Sequence, residues 1–102
     1  LFDVVIDLRK KSRTYGKVFT SILSEDNATS IYVPPGFAHG LCGMSKENYV
    51  IYSCTKYRNK SSEVGIMYND KDLNIKWPVR NPILSYKDRN NLSFKDYKKK
   101  YK

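Results

Sequence analysis

Histidine occurs once in this chain, as His39, and cysteine only twice, as Cys42 and Cys54. One histidine and two cysteines fall short of a complete metal site, since structural zinc takes four such ligands. Two cysteines also make no disulfide framework, and there is no secretory signal pattern. Free thiols in a cytoplasmic protein are the expectation. No apolar run approaches the ~18 residues of a membrane span. Phosphate loop, nucleophile elbow and dinucleotide fingerprint are all missing. Methionine is missing from the first position too: the chain opens on Leu1 and enters a strand-like run at once. A piece of a longer protein is therefore expected.

The 102 residues allow one domain with a modest core. A net charge of +9 raises nucleic acid as a partner. Its location argues against one. From Tyr86 to Lys102 there are seven Lys or Arg against two Asp, so this end supplies five of the nine charges. A run such as Lys98-Lys99-Lys100-Tyr101-Lys102 is expected to be a solvated tail. The mildly basic remainder suits a ligand that carries phosphates.

Short strands separated by turns dominate the pattern, with little helical periodicity before the tail. Phe2, Val4 and Ile6 alternate with Asp3, Val5 and Asp7 in a first strand. A turn at Lys11 to Gly16 leads to a second strand over Val18 to Leu23. After a turn at Ser24 to Asn27, Thr29 to Val33 is expected to be a third strand, stopped by Pro34-Pro35-Gly36. Ala38 to Met44 and Tyr49 to Tyr57 then form a hairpin about residues 45–48. Another strand is expected near Gly65 to Tyr68, and Ser93 is a candidate N-cap for a short helix running to Tyr101. Many strands at this spacing indicate a sandwich or barrel. The expected division is 1–90 for the barrel part and 91–102 for a basic, helical tail.

His39 sits in Gly36-Phe37-Ala38-His39-Gly40, where the glycine beside it leaves room for a ligand. With a four-residue loop, Met44 pairs with Tyr49 and His39 with Cys54. His39 and Tyr52 then become diagonal neighbours on one face, with Cβ atoms roughly 7–8 Å apart. The same register puts Cys42 and Cys54 on opposite faces. On residue chemistry alone, a single strand tyrosine is a packing residue and Asp88 a surface charge.

Two runs change that reading. Gly36-Phe37-Ala38-His39-Gly40 and Pro82-Ile83-Leu84-Ser85-Tyr86-Lys87-Asp88 occur in order, along with Asp7-Leu8-Arg9-Lys10, Asn69-Asp70 and Trp77-Pro78. Up to about Asp88 the chain resembles the dTDP-4-dehydrorhamnose 3,5-epimerases, and in particular their C-terminal part. The resemblance implies an all-β, cupin-type jelly-roll barrel, incomplete here, in an enzyme that is typically a homodimer. It also implies epimerisation at C3 and C5 of a 4-keto-6-deoxy nucleotide sugar, with no metal or redox cofactor needed. By motif, Tyr52 takes the place of the proton donor and Asp88 that of the carboxylate orienting the basic histidine. His39, Glu63 and Lys87 match substrate-binding positions. The base itself is implied upstream of Leu1, so residues 1–102 alone are expected to be inactive.

One departure concerns the nucleotide. Arg58 stands where the family has a tyrosine that stacks on the base. A guanidinium also stacks and reaches phosphate. A relative acting on a GDP- or CDP-linked keto-sugar therefore stays open, as does a non-catalytic cupin-like binding module.

Overall fold

A computed structural model of the chain describes residues 1–24, 26–27, 29–44, 64–80 and 82–101. Within them, three strands form one antiparallel sheet: β1 (Phe2–Asp7), β2 (Val18–Ile22) and β3 (Phe37–Cys42). β1 lies between the other two. It pairs with β2 through Val4↔Thr20 and with β3 through Val4↔Gly40. That register puts Phe2, Val4 and Ile6 on one face with Ala38 and Gly40, and Asp3, Val5 and Asp7 on the other with His39 and Leu41.

The first of these faces carries the core. Val4 and Ile6 are buried with Leu73 and Phe94, and Phe2, Ala38 and Trp77 pack around them. Each buried aliphatic side chain of this size contributes roughly 1.5–3 kcal/mol. The opposite face also buries two carboxylates, Asp3 and Asp7. A buried carboxylate needs compensation, and Asp7 has it in full. It accepts hydrogen bonds from the Arg9 backbone N–H (2.9 Å), Arg9 Nε and Nη2 (both 3.0 Å), Ser12 Oγ (2.6 Å) and Thr14 Oγ1. These bonds fold the β1–β2 connection back onto the end of β1.

The same arginine links that connection to β3. Its guanidinium lies 4.7 Å from the Phe37 ring centre, a stacking distance for a cation over an aromatic face. Gly36, at φ +91°, makes the approach feasible, because a Cβ there would stand 2.7 Å from Arg9 Cγ. The Pro34-Pro35-Gly36 stop falls where expected, directly before β3.

Two expected strands are not formed. Residues 29–33 join no sheet, and Ile31 and Tyr32 are exposed. Their β-branched and aromatic side chains favour extended backbone, but a strand also needs a hydrogen-bonded neighbour, and among the described residues none pairs with 29–33. Residues 65–68 contribute a single parallel bridge, Ile66↔Leu92. The second half of the expected hairpin, 49–57, lies outside the described residues, as does Cys54.

Two short helices close the chain: α1 (Tyr86–Arg89) and α2 (Phe94–Lys100). Ser93 caps α2 as expected, its side chain accepting from the Asp96 N–H at 3.1 Å. Phe94 then drives the helix into the core. Ser85 caps α1 in the same manner through the Asp88 N–H. The four-residue α1 was not foreseen, being too short for any periodicity to register.

Candidate active site

His39 stands in the middle of β3, opposite Val5 and diagonal to Asp3 on the neighbouring strand. Diagonal positions on one face are within reach of long side chains. His39 Nε2 lies 2.7 Å from Asp3 Oδ1, with the imidazole 39% exposed and the carboxylate 5%. The approach is off the line of a straight N–H···O bond, and that oxygen has no hydrogen-bond partner of good geometry. The contact places one end of the ring beside a buried carboxylate, with the imidazole itself partly exposed.

The sheet and the residues after 64 border a half-open cavity of about 990 Å³. Its wall takes residues from both faces of β3, Ala38 and Gly40 on one and His39 and Leu41 on the other. Trp77 supplies an aromatic panel. Its Nε1 donates to the Tyr68 carbonyl at 2.7 Å, and its ring meets Phe2 edge-on at 5.7 Å. Lys87 and Asp88, both from α1, line the same cavity. The Ser85 cap orders the first turn of α1, so these two side chains leave a fixed backbone.

His39, Lys87 and Asp88, from distant parts of the sequence, thus meet around one space. Tyr52, Arg58 and Glu63 lie outside the described residues. Chemically, the arrangement brings together an ammonium, an imidazole beside a carboxylate, and a second carboxylate. The volume suits a ligand larger than a monosaccharide, at the upper end of ordinary small-molecule pockets.

Comparison with known proteins decides the family. The sequence profile described as dTDP-4-dehydrorhamnose 3,5-epimerase matches residues 1–96. The chain belongs to the dTDP-4-dehydrorhamnose 3,5-epimerase family. It is 45% identical over 96 residues to the dTDP-4-dehydrorhamnose 3,5-epimerase of Shigella flexneri, covering 94% of this chain and 53% of that protein. To the enzyme of the same name from Methanothermobacter thermautotrophicus it is 43% identical, covering 88% and 50%. The chain thus spans about half the length of the curated relatives it matches.

Solved structures of the epimerase family agree. The crystal structure of dTDP-4-dehydrorhamnose 3,5-epimerase from Elizabethkingia anophelis superposes with a TM-score of 0.77 at 40% identity, covering 93% of this chain and 53% of that one. The Legionella pneumophila dTDP-6-deoxy-D-glucose-3,5-epimerase, in complex with dTDP-4-keto-L-rhamnose, gives 0.74 at 35% identity, covering 90% and 50%. The three strands and short helices are thus an all-β part of the epimerase fold.

Reasoning from sequence missed Asp3 entirely. Alternation put it on a polar face, but the β1–β3 pairing that sets it beside His39 joins strands separated by all of β2. A buried charge in an apolar strand run was the available signal.

Proposed function

We propose that the protein of which these residues form a part epimerises C3 and C5 of a 4-keto-6-deoxy nucleotide sugar of the dTDP-linked type. The observation that supports this reading best is the convergence of His39, Lys87 and Asp88 on one cavity in a member of this family. The Legionella relative solved with dTDP-4-keto-L-rhamnose points to the same substrate class. In the whole protein the sheet belongs to a cupin-type jelly-roll barrel, and the enzyme is a homodimer.

The chemistry follows from the ketone at C4. It acidifies the C–H bonds at C3 and C5, because the carbanion left behind is an enolate. A base on one side removes the proton, and an acid on the other returns one to the same carbon with inverted configuration. The base is a histidine outside residues 1–102, oriented by Asp88. Tyr52 is the acid. A phenol with an ordinary pKa of about 10 can deliver a proton to an enolate carbon. Lys87 and His39 hold substrate oxygens, and a fixed cation near the enolate oxygen stabilises charge that develops only during reaction. Glu63 and Arg58 complete the binding, with Arg58 placed towards the nucleotide.

The test is to incubate the full-length protein with dTDP-4-keto-6-deoxyglucose in deuterium oxide. The reading predicts deuterium at C3 and C5 together with inversion. A protein that binds the sugar nucleotide and leaves both C–H bonds intact would be a binding module instead.

A further inference from the structure

We propose that Asp70 is a positioning residue for this site: its carboxylate fixes where α1, and with it Lys87 and Asp88, stands against the cavity. The inference rests on the catalytic reading above. α1 has only four residues and buries none of them, so it has no packing face of its own. The chain on either side therefore does much to set its place.

The downstream side is held tightly. The Leu92 N–H donates to the Gly65 carbonyl at 3.3 Å, and the Met67 N–H to the Leu92 carbonyl at 2.7 Å. The two segments are close enough that a side chain at Gly65 would run into Asn91. Two residues later, the Phe94 N–H donates to Asp70 Oδ2 at 2.7 Å, across 24 residues of sequence.

Asp70 joins both halves of this arrangement. Its Oδ1 accepts from the Asp72 N–H at 2.9 Å and the Leu73 N–H at 3.1 Å, while its carbonyl accepts from the Asn74 N–H at 3.0 Å. One buried carboxylate therefore fixes the 70–74 turn and the first residue of α2 to each other. The turn delivers Leu73, and the helix delivers Phe94, to the same core cluster. Between Asp88 and this joint stand five residues, and the Leu92 bridge ties the fourth of them. Among the described residues, loss of the joint leaves the Leu92 bridge to hold this side of α1, and a displacement of about 1 Å is enough to cost ~10²-fold in rate.

The discriminating variant is Asp70→Asn in the full-length protein. The amide keeps the shape but turns one acceptor into a donor facing an N–H. Val18→Ala, which trims a partly buried β2 side chain packed against the core and leaves the Asp70 hydrogen bonds in place, serves as the stability control at a matched fall in Tm. Asp70→Glu keeps the charge but shifts the oxygens by one methylene, and should show the same pattern at smaller size. Two quantities are read: amide hydrogen exchange over 86–92, and kcat separately from KM. Asp70→Asn should speed exchange there and lower kcat by at least about tenfold, with Val18→Ala holding both within about twofold. Unchanged exchange over 86–92 in both Asp70 variants, or a parallel loss in Val18→Ala, would overturn the proposal. A wild-type protein that exchanges no substrate proton would remove the catalytic reading, while amide exchange would still decide the tether.

Discussion

Two carboxylates buried four residues apart on β1 have separate duties. Asp7 is saturated by Arg9, Ser12 and Thr14, whereas Asp3 Oδ1 lies against the His39 imidazole. Replacing Asp3 with Asn removes the charge beside the imidazole and leaves the strand shape intact. If the proposed reaction holds, this should lower kcat/KM of the full-length protein by at least about tenfold, equivalent to ~1.4 kcal/mol of transition-state stabilisation. Steady-state kinetics would measure it, with Tm as the check on folding; a change under twofold would confine Asp3 to structure. His39 was legible in the sequence because it is the lone histidine in a glycine-flanked motif. Asp3 was not, because its significance comes from a strand that arrives some thirty-five residues later.

At the level of elements, the Asp7 clip closes the β1–β2 connection and, through Arg9 on Phe37, steadies the start of β3. The Arg9 side chain, above all, holds the Asp7 carboxyl far below the ordinary carboxylate range; burial opposes it, and Ser12 and Thr14 assist. A depressed carboxyl stabilises the fold in full above its unfolded pKa of about 4 and loses that contribution as pH falls through the lowered folded value. Asp7→Asn should therefore be less stable than wild type at neutral pH, with the gap narrowing below about pH 4. Urea unfolding across that range would show it, and a pH-independent gap would count against the assignment. α2 gives a second comparison. Ser93→Ala removes one cap and should cost about 1 kcal/mol. Phe94→Ala empties a core position and should cost about 3–5 kcal/mol, read by the same denaturation. Equal losses would mean that α2 is held by its cap and not by the core. Ser93 was readable as a cap because Ser before an apolar residue and an acidic third position is a local pattern. Residues 29–33 misled because Ile31, Tyr32 and Val33 carry strand propensity, while strand pairing is a non-local property.

On the scale of the whole molecule, three residues assigned to the site stand around one cavity, and the family match extends over 1–96. Those three were legible through ordered motifs, not through composition, which pointed at most to a ligand with phosphates. Asp70 was visible within Asn69-Asp70, yet its duty as a joint was not, since its partner Phe94 lies 24 residues on. The catalytic account turns on opposite-face proton delivery by Tyr52, and Tyr52→Phe in the full-length enzyme tests it most directly. Phenylalanine keeps the ring and removes the transferable proton. With a 4-keto-6-deoxy nucleotide sugar in deuterium oxide, the variant should exchange substrate protons for deuterium with retained configuration. Epimer formation should fall by about 10²–10⁴-fold, the usual contribution of a general acid. A variant that epimerises within a few-fold of wild type would contradict the account.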